Sequence, residues 1–204
     1  MEEIVRPWPL SSYTFNSFAQ FINYFNIDEC KQYIRDGKKN ERTTSLNKGR
    51  VGSMGSDSAF HIRNSDVSFF KTHRPENNPL FSKLTEILTS ANQSFFGYDI
   101  FEIEAAQFST YSSEYKGFYT KHVDVMTNSS GIGVRKLSFS IQLSDPDSYK
   151  GGDLILHCDT TPVTAPKEIG SIIIFPSFTL HEVTPVTEGT RYSLVGWVTG
   201  PAWK

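Results

Sequence analysis

The chain has 204 residues, of which 38% are apolar and 21% charged, and its formal net charge is −2. That length suits one domain, residues 1–204, with a substantial core, and the composition excludes a disordered tail. The near-neutral charge lacks the basic footprint of a nucleic-acid binder, so no nucleic-acid partner is expected.

The N-terminal stretch MEEIVRPWPL is acidic and then proline-rich, unlike a signal peptide. Further on, Asn26 precedes Asp28 and Glu29, a capping residue followed by first-turn acids, and predicts a helix that Gly37 stops. The next stretch, 36–58, is rich in Gly, Ser, Thr, Lys and Arg and reads as a surface loop or as a lid over a substrate site. In LFSKLTEILTSANQSFF (80–96), Leu80, Leu84, Ile87 and Leu88 share one helical face, with Pro79 just before them. Residues 1–98 therefore read as a helical and mixed support.

From 99 onward the pattern turns to β. Short strands are expected at 101–111, 118–124, 135–143, 153–158, 171–175 and 190–198, separated by turns rich in Gly, Pro, Asp and Ser. Tyr149–Asp153 reads as one such turn. No long helix separates these strands, so antiparallel sheets in a sandwich or jelly-roll barrel are expected over 99–204. The longest apolar runs, such as SIIIF, are too short to span a bilayer. Cys30 and Cys158 lack metal-site spacing and are too few for a disulfide framework. A cytoplasmic, reducing setting with no membrane partner is the expectation.

His122 and Asp124 stand two apart in an expected strand, so their side chains point to one face. They can offer an imidazole and a carboxylate to one ion. His181, in FPSFTLHEV after the strand SIIIF, is the best third ligand. His157, ending DLILHC, reads as an exposed histidine, and His61 and His73 lie in polar surroundings. Two histidines and a carboxylate fill one face of an octahedral ion and suit Fe(II) with open positions; zinc could use the same three with one water. In TRYSLVGWV, Arg191, Ser193, Val195 and Trp197 share a strand face. A guanidinium there can hold a carboxylate through two parallel hydrogen bonds, with Ser193 adding a third. An acidic small molecule beside the metal favours iron over zinc.

The stretches QFSTYSSEYKGFYTKHVDV, RKLSFSIQLSDPDSYKGGDLIL and GSIIIFPSFTLHEVTPVTEGTRYSLVGWV together resemble the Fe(II)- and 2-oxoglutarate-dependent dioxygenases, in particular the bacterial and viral branch related to prolyl 4-hydroxylases. The likeness covers residues 105–199, and HIRNSDVSFF (61–70) extends it upstream. It implies a mainly β, double-stranded β-helix core with supporting helices. It also implies His122, Asp124 and His181 as iron ligands and Arg191 as the partner of the distal carboxylate of 2-oxoglutarate. Tyr111 matches a position whose hydroxyl contacts that cosubstrate. Gln142 departs from the pattern, standing where animal prolyl hydroxylases often carry a cosubstrate-binding tyrosine; an amide can also hydrogen-bond there. The polar face Ser138, Ser140 and Gln142 lines the barrel or meets solvent. The reaction implied consumes O2 and 2-oxoglutarate, releases succinate and CO2, and hydroxylates an unactivated C–H bond, with ascorbate as a further candidate cofactor. A prolyl residue in a peptide or protein is the leading acceptor, with Arg63 and Trp197 as places for substrate contacts. A free amino acid or other small metabolite is the alternative. Outside oxygenases, the same ligands could serve a non-catalytic metal-binding jelly roll or a zinc hydrolase. The latter needs a general base, and Glu182 should point away from His181.

Overall fold

The computed structural model describes residues 16–43, 47–48, 62–126 and 133–203. Helix α1 (Ile27–Thr43) opens with a reciprocal cap. The Glu29 amide donates to Asn26 Oδ1 at 2.9 Å, and the Asn26 amide donates to Glu29 Oε2 at 2.7 Å. Glu29 also pairs with Lys83 at 2.7 Å, which ties α1 to helix α2 (Asn78–Ala91). The second helix packs the expected Leu80, Leu84, Ile87 and Leu88 into the core. It continues as a wider turn over Asn92–Phe96 and ends at Gly97, whose φ of 66° is left-handed.

Gly37 does not stop α1. It is buried in mid-helix, and a Cβ there would lie 2.4 Å from the Phe108 ring. The glycine is a packing device that lets the helix press onto the sheet. Residues 36–43 of the expected loop are thus helical, 47–48 form a short strand, and the remainder of that stretch lies outside the described residues, as does His61. Gly37→Ala is expected to destabilise the fold by about 1–3 kcal/mol through overpacking. At an unobstructed helix interior the same change stabilises by about 0.5–1 kcal/mol. The sign of the shift in a urea midpoint decides between them.

The strands run in chain order as β1 (Ala19–Phe21), β2 (Asn47–Lys48), β3 (Arg63–Asn64), β4 (Asp66–Phe70), β5 (Glu102–Ser112), β6 (Phe118–His122), β7 (Val134–Gln142), β8 (Tyr149–Gly151), β9 (Leu154–His157), β10 (Val163–Thr164), β11 (Ile172–Pro176), β12 (Leu180–Val183) and β13 (Val186–Gly200). The larger sheet has the order β1-β11-β7-β13-β5-β4-β2, with β8 also paired to β13, and the smaller has the order β10-β9-β12-β6-β3. Their pairings are antiparallel. The result is a mainly β jelly roll with supporting helices. Tyr149–Gly151, expected inside a turn, is a strand. Gly151 and Gly152 follow at φ 73° and 62° and reverse the chain.

Two cores explain the residue pattern. The helices cover the larger sheet through Phe108, Leu137, Phe139, Ile141, Ile172, Ile174 and Leu194. Between the sheets lie Tyr111, Leu156, Ile173, Phe175, Val183 and Val186. Strand β11 is buried on both faces, which is why it reads as an uninterrupted apolar run. On β7 the apolar set faces the helices. The alternate set, Ser138, Ser140 and Gln142, turns inward and is buried.

Candidate active site

The site lies in a cavity of about 440 Å³ lined by both sheets. Strand β6 of the smaller sheet ends at His122, and the chain runs on to Asp124, whose amide donates to the Ser177 carbonyl at 2.8 Å. Strand β12 returns antiparallel with His181 in register with His122. The ligating atoms of His122, Asp124 and His181 all lie within 4.8 Å of one another. His122 Nε2 is 3.8 Å from Asp124 Oδ1, and His181 Nε2 is 3.5 Å from Asp124 Oδ2.

Backbone carbonyls orient both rings. His122 Nδ1 is 2.7 Å from the Thr120 carbonyl, and His181 Nδ1 is 2.8 Å from the Thr179 carbonyl. A carbonyl only accepts, so each Nδ1 carries a proton and each Nε2 is the ring nitrogen turned to the centre. Burial, and next the His181 imidazole, push the His122 pKa down to about 4. It is therefore neutral at neutral pH, as a metal ligand must be. Tyr119 stacks on His122 with ring centroids 3.5 Å apart, and Phe175 meets His181 edge-on at 4.9 Å. Asp124 Oδ2 accepts from Ser138 Oγ at 2.8 Å, and Ser138 Oγ lies 3.1 Å from Ser177 Oγ. Two oriented imidazoles and an oriented carboxylate on one side of an open cavity fit a single divalent cation. Ser138→Ala is expected to weaken metal binding about tenfold, as loss of an outer-sphere partner does; Mn(II) titration would measure it.

Arg191 enters the same cavity from the larger sheet. It is 4% exposed, opposite Tyr111 in the β13–β5 register, with its guanidinium 5.7 Å from the Tyr111 ring centre. Arg191, Ser193, Val195 and Trp197 all line the cavity, as strand alternation predicts, and so does Tyr111. Gln142 does not line it. Its side chain lies behind Arg191, where Oε1 accepts from Arg191 Nε at 3.1 Å. Arg191 Nη1 donates to Ser193 Oγ at 3.4 Å.

Arg63 is buried in the cavity wall. Its Nε donates to Ser65 Oγ at 2.7 Å, and its guanidinium lies 4.7 Å over the Tyr119 ring. Trp197 is covered by Arg135, whose guanidinium sits 3.7 Å above the ring and grips Glu104 at 2.7 and 2.8 Å. The sequence reasoning missed Tyr119, Glu104 and Arg135, and it placed Ser138 on a polar face without assigning it to the site. Only the inward phase of β7 hinted at Ser138. His157 and Glu182 pair with each other at 2.9 Å and line no part of the cavity, so Glu182 is not placed as the general base a zinc hydrolase would need. His73 is exposed. Among the described residues no helix is long and apolar enough to cross a membrane.

Residues 106–199 match the family model described as the 2OG-Fe(II) oxygenase superfamily. A PKHD-type hydroxylase of Synechococcus elongatus is 44% identical over 84 residues, 39% of this chain and 37% of that protein. One of Hyphomonas neptunium is 40% identical over 82 residues, with the same 39% and 37% coverage. The chain thus spans little more than a third of the length of these curated relatives. A Pseudomonas putida prolyl-4-hydroxylase superposes with a TM-score of 0.71 over 91% of this chain and 94% of that one, at 17% identity. A Trichoplax adhaerens prolyl hydroxylase, in complex with a hypoxia inducible factor oxygen degradation domain peptide fragment, gives 0.72 over 91% and 84%, at 16% identity. These likenesses establish a shared fold.

Proposed function

We propose, for a chain whose residues 106–199 belong to the 2OG-Fe(II) oxygenase superfamily, that it is an Fe(II)- and 2-oxoglutarate-dependent dioxygenase acting on a prolyl residue in a peptide or protein. The observation that carries this reading is the placement of His122, Asp124 and His181 in one cavity with the buried Arg191. Either feature alone has other uses; together they serve a metal that must also hold an acidic cosubstrate.

In this reading His122 Nε2, His181 Nε2 and the Asp124 carboxylate hold the iron. Iron held by these residues would supply the chemistry that couples oxidative decarboxylation of 2-oxoglutarate, to succinate and CO2, to hydroxylation of an unactivated C–H bond. The protein supplies position and exclusion. Arg191 holds the distal carboxylate, with Ser193 beside it and Tyr111 across the register. Phe175, Leu154 and Val183 form the inner apolar wall and keep water from the reacting centre. Toward the outside, Trp197, Val123, Val125 and Met126 offer apolar faces against which a proline ring can pack. Arg63, buried in the same cavity wall, is the donor assigned to the acceptor's backbone. Ascorbate enters as a reductant that keeps iron ferrous and has no assigned site.

Mass spectrometry of proline-containing peptides after incubation with Fe(II), 2-oxoglutarate, ascorbate and air tests the acceptor. The expected result is a gain of one oxygen atom located on proline by fragmentation. A gain confined to free amino acids or other small molecules would overturn the peptide acceptor and leave the oxygenase standing.

A further inference from the structure

We infer that Gln142 and Tyr149 are positioning residues for the cosubstrate, acting through Arg191: they lock its guanidinium so that the remaining N–H edge faces the cavity. The inference rests on the assignment of Arg191 to the distal carboxylate in the reading above.

The chemistry of the contacts allows one orientation of the Gln142 amide. Its Nε2 donates to the Ser144 carbonyl and to Tyr149 Oη, both at 3.0 Å, while its Oε1 accepts from Arg191 Nε at 3.1 Å. The Ser144 carbonyl can only accept and Arg191 Nε can only donate. A turned amide would set oxygen against oxygen and N–H against N–H. The side chain is 4% exposed, so bulk water does not compete for either partner. Arg191 Nε is thereby committed inside the protein, and Nη1 shares a proton with Ser193 Oγ. Nη2 and the other Nη1 proton are left for a ligand in the cavity.

The lock is itself braced. Tyr149 is 5% exposed and sits on β8, which pairs with β13 two residues before Arg191. Lys167 lies 5.4 Å over its ring and is held by Asp153 at 2.5 Å. Gly152, at φ 62°, completes the cradle, since a Cβ there would come within 3.1 Å of Arg191 Cδ and 2.8 Å of Val186 Cγ2. The segment Tyr149–Gly152 thus cups the arginine stem while Gln142 fixes its head. Orientation matters because a fork that is already aligned loses less freedom when it binds a carboxylate.

The test measures the Kd of 2-oxoglutarate for the full chain loaded with Mn(II), which avoids turnover. Gln142→Leu, which keeps the bulk and removes all three side-chain hydrogen bonds, should raise that Kd about tenfold. Tyr149→Phe should raise it about threefold. The Kd for Mn(II) should stay within about twofold in both, since neither residue touches the triad. Gln142→Glu, nearly identical in shape, should cost more than Gln142→Leu, because a carboxylate at Arg191 Nε neutralises the charge meant for the ligand. In the double variant Gln142→Leu/Arg191→Gln, the leucine should add nothing to the loss from Arg191→Gln alone. An unchanged Kd in Gln142→Leu and Gln142→Glu, or a full additional loss in the double variant, would overturn the inference while leaving the cosubstrate assignment intact. Failure of the wild-type protein to bind 2-oxoglutarate at all would overturn that assignment, and this inference with it.

Discussion

Asp124→Ala will leave a chain that no longer holds a divalent cation at micromolar concentrations and forms no succinate. Loss of an outer-sphere partner already costs about 10–100-fold in metal affinity, and here a ligand itself is removed, so the loss should exceed that range. The carboxylate is the only anionic member of the triad. It also receives the Ser138 hydrogen bond, and its amide is tethered to the Ser177 carbonyl, so both its side chain and its backbone are fixed in place. Without it, two imidazoles remain and the triad offers the cation no negative charge. His181→Ala should behave similarly, for it is 6% exposed and pointed by the Thr179 carbonyl. Mn(II) titration followed by calorimetry reads the effect directly. Wild-type affinity in Asp124→Ala would remove this site as the metal centre.

Arg191→Gln will raise the Kd of 2-oxoglutarate by about a hundredfold or more while leaving the metal Kd unchanged. Each charge-assisted hydrogen bond contributes about 1.5–3 kcal/mol, and a bidentate grip loses two. The change also strands Gln142 Oε1, which is buried and has Arg191 Nε as its donor. Arg191→Lys should fall between the two. It keeps a positive charge but loses the fork and the Nε donor, so it cannot satisfy Gln142 and grip a carboxylate with the same geometry. Titration of the Mn(II)-loaded protein with 2-oxoglutarate separates this effect from the first. A shared loss of metal and cosubstrate binding in Arg191→Gln would point to collapse of the cavity and not to a lost anchor.

The two predictions rest on residues that differ in how readable they were. Strand alternation placed His122 and Asp124 on one face, and set Arg191, Ser193 and Trp197 on another, because side-chain direction on a strand has a period of two. The facing of β12 against β6, which brings His181 beside His122, depends on which strands pair across long connections, and no local pattern encodes that. The place of His181 after an apolar strand marks it as the best third ligand, and the resemblance to a known family implies the same residue, but the register is visible only in the assembled sheet. Gly37 was misjudged because a glycine in mid-helix carries the same letter whether it ends a helix or admits a neighbour, and the neighbour, Phe108, is distant in sequence. Gln142 was placed on the right face, but it reaches Arg191 and leaves the cavity to Ser140. Short strands such as β3 and β8 were invisible, since two or three residues cannot show a period and their pairing is set by partners elsewhere. Arg135 on Trp197 and Tyr119 on His122 belong to the same class: contacts made by register, read only once the sheets are assembled.

Conversion of 2-oxoglutarate to succinate by this chain, with Fe(II) and air, is the most direct test of the proposed activity. Succinate quantified over time, with and without Fe(II), and with Asp124→Ala and Arg191→Gln alongside, answers it. The predicted result is Fe(II)-dependent succinate from the wild-type chain even without an added acceptor, accelerated by one, absent in Asp124→Ala and strongly reduced at limiting 2-oxoglutarate in Arg191→Gln. No succinate under any acceptor tested, together with no metal-dependent binding of 2-oxoglutarate, would contradict it.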